Sequence, residues 1–246
     1  MRIPVMHRLA LVILALALLG CSDSDMGDVR LQVASFNASS TAASAEAGQL
    51  VIEAGDDEIV LEQVGLVLRK VRLEGPSSES CPEEGEGDAG CGELDFGPIL
   101  FELPLEVGAE GVLNAVVPVG SYTGLKFQLH RPTDANEDAD FVAEHQDYDD
   151  ISILVVGTYN GDRFTFTSDL TEVETVNFAD PVEVETEGVL PLTLLVQVGD
   201  WFASPDGGLV DPADASDGGP FESLVEQQIR ASFRAFHDDD ADASQD

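Results

Sequence analysis

Residues 151–168 read ISILVVGTYNGDRFTFTS and carry the sharpest structural signal in the chain. Asn160-Gly161 lies between two strand-like stretches, and this dipeptide accepts the positive φ angles of a two-residue hairpin turn. The turn places Phe164 opposite Gly157, where an aromatic ring covering a bare strand glycine stabilises a sheet. Phe166 shares that face. The segment is therefore predicted to be a β-hairpin whose phenylalanine face points into a core.

The same alternation of apolar and polar residues recurs along the chain and predicts about ten short strands. A second hairpin is predicted to turn at Glu187-Gly188. Many short strands separated by turn signals are typical of an antiparallel β-sandwich, so the predicted class is all-β. The further predicted strands cover residues 29–33, 48–54, 58–74 with a break or bulge near Val64-Gly65, 98–106, 111–118 and 125–130, and open polar loops are predicted at 37–47, 76–96 and 132–149.

One amphipathic helix is predicted near the C-terminus, starting at Gly219-Pro220. Proline suits the first turn of a helix, and basic residues near its end complement the helix dipole. Apolar side chains recur at spacings of three and four, so this stripe is predicted to pack on the sandwich. The stripe consists of Phe221, Val225, Ile229, Phe233 and Phe236, and the basic residues are Arg230, Arg234 and His237.

The N-terminus has the organisation of an export signal. Arg2 and Arg8 precede eleven apolar residues, 9–19. As a helix these rise about 16 Å, too short for a hydrocarbon core of roughly 30 Å. The sequence Leu18-Leu19-Gly20-Cys21 then resembles a bacterial lipobox, which implies cleavage before Cys21 and lipidation of its thiol. An ordinary secretory signal with an incidental cysteine is the alternative.

These features divide the chain into a signal peptide (1–20), a lipidated cysteine with a short tether (21–26), one sandwich domain (27–236) and an acidic tail (237–246). Several acyl chains would hold the protein firmly, whereas one chain alone is marginal. We therefore expect a membrane partner through the anchor and a location at the cell envelope. Ser22 after the cysteine resembles the pattern that directs Gram-negative lipoproteins to the outer membrane.

Cys81 and Cys91 are the two cysteines left once Cys21 is lipidated, and they lie in a loop rich in Ser, Glu, Gly and Asp. An oxidising compartment would pair them, and the closed ring would stabilise the fold by about 2.5–3 kcal/mol. Free or metal-bound thiols are the alternatives, although no His or further Cys lies near in sequence. A disulfide is the favoured interpretation.

Charge excludes one class of partner. The chain has 48 acidic and 11 basic residues, a net charge of −37, with 43% hydrophobic residues that suffice for a core. A polyanion without a Lys/Arg cluster is repelled by phosphate backbones and by anionic lipid surfaces. Nucleic acid is therefore not an expected partner.

The acidic tail offers a candidate metal site. Oxygen ligands at alternate positions resemble a calcium loop of the Asp-x-Asp-x-Asp kind, in which the chain wraps one hard cation. The predicted helix would end just before the first aspartates, where acids are unfavourable unless a cation is present. Position six, usually glycine, is Ala243. A solvated acidic tail is the alternative. The candidate calcium ligands are Asp238, Asp240, Asp242, Ser244 and Asp246.

Two other acidic runs alternate or crowd in the same way, although such runs also arise from composition alone. Either run could also bind calcium. They comprise Asp134, Asn136, Asp138 and Asp140 in one loop, and Asp200, Asp206, Asp211, Asp214 and Asp217 in another.

Signatures of catalysis are sparse. The sequence contains no His-Glu-x-x-His, no Gly-x-Ser-x-Gly and no Gly-x-x-x-x-Gly-Lys, so metalloprotease, esterase-type and phosphate-loop chemistry lack their usual markers. His130 is predicted to face solvent, His145 to lie in an acidic loop and His237 to cap the helix. Trp201-Phe202 is predicted to anchor the core, with a small sugar-stacking platform as the alternative.

The order of these parts resembles a family of uncharacterised bacterial lipoproteins whose domain is described as prealbumin-like or immunoglobulin-like. The resemblance rests on the turn into a strand at residues 118–125, on Gly199-Asp200-Trp201-Phe202 and on residues 229–236 with the Asp-rich end. It implies a β-sandwich fold and no established activity. We therefore expect a non-catalytic binding or structural module with a protein or glycan ligand. The alternatives are a hydrolase of envelope polymers or carbohydrate and an accessory subunit of an envelope transport system.

Overall fold

The computed structural model describes residues 25–35, 42–46, 48–75, 93–95, 97–106, 108–216, 218–240 and 243. Within these ranges the chain forms a mostly β structure with two sheets and two α-helices. The helices are α1 (Ala139–Glu144) and α2 (Glu222–Ala231). The strands are β1 (Met26–Ser35), β2 (Ala42–Glu46), β3 (Gln49–Ala54), β4 (Asp57–Glu74), β5 (Glu93–Asp95), β6 (Ile99–Glu102), β7 (Glu110–Pro118), β8 (Gly120–Leu129), β9 (Ile153–Tyr159), β10 (Asp162–Ser168), β11 (Glu172–Val184), β12 (Val189–Val196) and β13 (Phe233–His237).

The two sheets form a sandwich-like arrangement, which confirms the predicted all-β class. The smaller sheet has the order β13-β12-β1-β7, and the larger is built around β4. Buried residues from both sheets, such as Leu31 of β1 and Leu61 of β4, belong to one continuous hydrophobic core. From Met26 to Leu31, exposed and buried residues alternate on β1, so every second side chain there faces the interior.

The hairpin of β9 and β10 has the predicted register. Gly157 pairs with Phe164 and Val155 with Phe166. Both turn residues have positive φ, 51° at Asn160 and 86° at Gly161, as a two-residue hairpin of this kind requires. The phenylalanine face is buried as expected.

Strand β4 is one long strand with two irregularities, at Leu61/Gln63 and at Arg69/Arg72. Its first half pairs with β3 and β9, and its second half with β5, β6 and β8. Lys70 has a φ of 53° at the second irregularity. A bulge bends a strand and redirects its side chains, and this one positions Arg69 beside the loop that follows β8.

The predicted second hairpin at Glu187-Gly188 is wrong. Strand β11 pairs with β8 in the larger sheet, whereas β12 pairs with β1 and β13 in the smaller one. The turn therefore carries the chain from one sheet to the other. Parallel pairing of β1 with β12 supplies hydrogen bonds that a local hairpin would have supplied.

The predicted C-terminal helix is present but ends early. Helix α2 stops at Ala231, and Phe233 to His237 form a strand that pairs with β12. Ser232 follows the helix, and its hydroxyl donates to the carbonyl of Ile229 at 2.7 Å. Phe233 packs edge-on against Phe127 with ring centroids 5.1 Å apart. Strand pairing and aromatic packing thus end the helix at Ala231, although the predicted apolar stripe continues to Phe236.

Two predicted loops contain regular structure. Strand β2 lies within residues 37–47, and helix α1 lies within residues 132–149 between two short 3-10 turns. Burial of Val142 and Tyr148 explains the order of the second segment. Most of the predicted loop 76–96 lies outside the described residues.

Candidate functional site

The candidate site is the loop that follows β13 and begins at Asp238. The side chain of Asp238 is fully buried. One of its carboxylate oxygens, Oδ2, accepts hydrogen bonds from the hydroxyl of Thr193 at 2.8 Å and from the backbone N–H of Ala243 at 3.1 Å. Its own backbone N–H donates to the carbonyl of Pro191 at 3.3 Å. The loop is thereby fixed against β12.

Ala243 lies over the smaller sheet. It packs against the cluster of Ala34, Leu195 and Phe236, and its φ is 64°. If Asp238 is position one of a calcium loop, Ala243 is position six, where the chain turns sharply and glycine is usual. The positive φ of Ala243 is a conformation that glycine adopts more readily than alanine.

The other carboxylate oxygen of Asp238, Oδ1, has no hydrogen-bond partner within the described part of the chain and is buried. A buried carboxylate oxygen without a partner is unfavourable, because burial removes its hydration without replacing it. This oxygen is the structural observation that a bound cation would explain.

The remaining predicted ligands are only partly placed. Asp240 is exposed, and the neighbouring Asp239 accepts from His237 Nε2 at 3.2 Å. Asp242, Ser244 and Asp246 lie outside the described residues. Over the described ranges, no three His, Cys, Asp or Glu side chains are arranged to hold a metal. The structure thus buries Asp238 and, over the described residues, does not bring the predicted ligand set together.

The tail aspartates do not follow the end of a helix, contrary to the prediction. They follow strand β13 instead. A strand has no comparable end charge. The case for a cation at Asp238 therefore rests on burial and not on a helix dipole.

A second polar cluster, formed by Arg69, His130 and Asp138, lies at the β4 bulge. His130 Nε2 is 2.9 Å from Asp138 Oδ2, and Arg69 Nη1 is 3.9 Å from Asp138 Oδ1. Because the carboxylate must accept, we assign a proton to His130 Nε2. Arg69 also pairs with the exposed Glu137 at 3.3 Å. This cluster fixes the loop after β8 to β4.

His130 corrects the expectation that its side chain faces solvent, since only 8% of the residue is exposed. The loop that carries Asp138 covers it. Burial lowers the pKa of His130, outweighing the hydrogen bond to Asp138, which raises it; the charges of Arg69 and Lys70 lower it further. The imidazole therefore tends to stay neutral in the folded protein.

This lowered pKa predicts a pH effect on stability. Below the usual value of 6.5 the unfolded chain binds the His130 proton more readily than the folded chain. The stabilisation due to neutral His130 is thus complete above pH 6.5 and is lost as pH falls toward the folded pKa. We expect wild type to lose more stability than His130→Gln between about pH 7.5 and 5.5 in urea unfolding. Parallel pH curves for the two proteins would contradict this.

The other residues singled out in the sequence have structural surroundings. The ring of His145 packs at a tilt against Phe141, with ring centroids 4.7 Å apart, and His237 lies in β13 rather than capping a helix. Trp201 is fully buried, which fits the core anchor and not the sugar platform. Asp211 caps a 3-10 turn by accepting from the N–H of Ala213 at 2.9 Å.

Asp138, from the alternating run at residues 134–140, is engaged by His130 and Arg69. Cys21, Cys81 and Cys91 lie outside the described residues, so lipidation and the disulfide stay predictions.

Sequence reasoning missed Thr193, the hydroxyl that binds Asp238. A signal was present: Thr193 is the only polar residue in the strand Val189–Val196. A hydroxyl buried in an apolar run needs a hydrogen-bond partner, but the sequence does not show which residue supplies it.

Comparison with known proteins adds little to this site. No family model and no curated protein matches the chain. Among solved structures, MbnP from Methylosinus trichosporium is similar with a TM-score of 0.40 and 11% sequence identity, covering 85% of this chain and 98% of that one. No functional argument follows from a likeness of this size.

Proposed function

We propose that this chain is a lipid-anchored, non-catalytic module of the cell envelope whose sandwich is stabilised by calcium at the Asp238 loop. The buried, unpartnered Oδ1 of Asp238 carries the calcium part of the proposal. Calcium binds carboxylate and backbone carbonyl oxygens in flexible geometry, so a loop of alternate aspartates suits it. A cation beside Oδ1 would offset the cost of burying that charge.

The anchor is supported by the order of charged start, apolar stretch and Leu-Leu-Gly-Cys at residues 1–21. Cys21 precedes the first residue of β1, Met26, by five positions, so the sandwich would sit close to the membrane.

No helix within the described ranges is long and apolar enough to cross a membrane.

A non-catalytic role is supported by the surroundings of the histidines. The Nε2 atoms of both His130 and His237 face carboxylates within the protein. The first of these pairs is buried and bridges two elements of the fold. Because the buried pair, with Arg69, ties the loop after β8 to β4, we prefer a binding or structural module to a hydrolase.

Calcium is expected to raise the thermal unfolding midpoint of the protein beyond an ionic-strength-matched sodium chloride control. At a hundredfold excess over the dissociation constant, one site adds about 2.7 kcal/mol. For a domain of this size that corresponds to about 5–10 °C. Differential scanning calorimetry in chelator, calcium, magnesium and matched salt measures the effect, since screening of the net charge alone would act in any salt.

Asp238→Asn is expected to remove this calcium increment, because it removes the charge that the cation neutralises. Asp206→Asn makes the same charge change in an exposed turn and is expected to keep the increment. Coincident calcium and matched-salt curves for wild type would refute the calcium part of the proposal.

A further inference from the structure

Four exposed apolar side chains gather at one end of the sandwich. Within the described residues, six large hydrophobic side chains are notably exposed. Val173 and Phe221 lie elsewhere. The other four are Met26 at 37%, Val116 at 55%, Val119 at 41% and Val189 at 49% exposure. Exposed apolar groups that cluster in this way mark interaction surfaces, whereas scattered ones do not.

Strand pairing shows that the four share one end. Met26 pairs with Pro118, and Asp28 lies between Val116 and Val189 on its two neighbouring strands. With strands about 4.8 Å apart, Val116 and Val189 are separated by about 10 Å on the same outer face. The backbone N–H of Val119 donates to the carbonyl of Asp25 at 2.8 Å. We call residues 25–28, 116–120 and 184–189 the tether end.

The tether end is also where the chain comes from the predicted anchor. Cys21 lies five positions before Met26, and even a fully extended chain of that length spans only about 18 Å. A lipid attached at Cys21 therefore holds this end, and no other, next to the bilayer surface. At that distance a weak apolar surface meets the membrane at high effective concentration.

The charge of the tether end indicates which kind of lipid surface it can contact. Exposed acids surround the apolar side chains: Asp25, Asp28, Glu183, Glu185 and Glu187. They would be repelled by anionic lipids, whereas zwitterionic headgroups carry no net charge to oppose them. Four partly exposed side chains cannot anchor a protein of this size by themselves, but they can orient one that is already anchored.

We infer that the tether end docks on the zwitterionic phospholipid surface that holds the anchor, with Met26, Val116, Val119 and Val189 in the interface. This rests on the lipid anchor of the proposed function. Strand β8 starts at the tether end and pairs with the second half of β4, so the start of β4 at Asp57 lies at the opposite end of the sandwich. Gly208 is adjacent to Asp57, which places the turn that carries Asp206 beside that far end. Docking therefore turns the Asp206 turn away from the membrane.

Brominated phosphatidylcholine vesicles test the inference through tryptophan quenching. The lipidated full-length protein is reconstituted with Val119→Trp or, as the matched far-end control, Asp206→Trp. The native Trp201 is fully buried and gives a constant background. We expect the indole introduced at position 119 to lose about half of its emission or more, because interfacial side chains reach about 5–10 Å into the headgroup boundary. The far-end indole should keep its emission.

Flotation of the same samples separates docking from anchoring. If wild type fails to float with the vesicles, or floats no better than Cys21→Ala, the proposed lipid anchor is wrong. The docking inference, which depends on the anchor, is then wrong as well. If the protein floats but the position-119 indole is quenched no more than the far-end one, docking is wrong while the anchor stands. Val116→Trp and Val189→Trp replace Val119→Trp should that variant misfold. An emission shift that follows protein-to-lipid ratio instead of bromination would assign the surface to a second copy.

Discussion

Replacing Gly157 by alanine is expected to lower the free energy of unfolding by about 3 kcal/mol, because the new methyl group has no space and its neighbours cannot move aside. A Cβ at this position would overlap the carbonyl oxygen of Val60 and lie 3.1 Å from the carbonyl carbon. Both atoms belong to the backbone of β4, which pairs with β9 at this point. A side chain could rotate away, whereas a paired strand has to shift as a whole.

Urea unfolding of Gly157→Ala beside Gly111→Ala measures this effect. Gly111 lies in strand β7, and a Cβ there would meet nothing within 4 Å. Its replacement is expected to be neutral or to stabilise by about 0.4–1 kcal/mol through the unfolded chain. Equal stabilities for the two variants would show that β4 and β9 are not as close as the structure has them.

Gly157 shows how far local sequence reaches. The Asn-Gly turn predicted the hairpin and its register, and both are confirmed. The sequence explains Gly157 only by Phe164, whose ring covers the glycine from the opposite strand of the hairpin. The structure adds a tighter constraint from Val60, a residue nearly a hundred positions away in sequence. Neighbouring residues in the sequence do not show which distant backbone will pack against Gly157. The sequence shows only that the position is a glycine.

The two wrong elements have a common cause. Alternation in residues 182–198 indicates strands but does not say which sheet each strand joins, and β11 and β12 join different ones. Similarly, Phe233 and Phe236 fit the helical spacing that starts at Phe221, yet β12 takes residues 233–237 as its partner. Pairing with a distant strand overrides periodicity wherever both patterns fit.

The sequence named Asp238 as a candidate ligand but did not show its surroundings. Metal binding by the alternate aspartates stays a prediction. Burial of Asp238 depends on Thr193 and on the outer face of the smaller sheet, which are brought to the tail by the fold alone. The cluster of Arg69, His130 and Asp138 was missed for the same reason, since its members come from the interior of β4, from the residue after β8 and from a 3-10 turn.

Asp138→Ala is expected to cost about 3 kcal/mol or more, because it leaves Arg69 and His130 without their buried carboxylate. The side chains of Arg69 and Asp138 are 18% and 10% exposed, so water replaces the lost charge poorly. Removing one member of a buried ionic cluster costs far more than the cluster as a whole contributes. The measurement is the urea midpoint and slope of the variant at pH 7.

Asp169→Ala is the matched control, because Asp169 also pairs with an arginine, Arg131 at 3.0 Å, but with side chains 46% and 41% exposed. Arg131 keeps a second partner in Asp150 at 2.9 Å. Exposed pairs contribute about 0–1 kcal/mol, so little loss is expected. The two variants make the same chemical change and differ in burial, so similar losses would refute the claim that burial makes the Asp138 cluster costly to break. A large loss confined to Asp138→Ala would identify this cluster as the polar tie between β4 and the loop after β8.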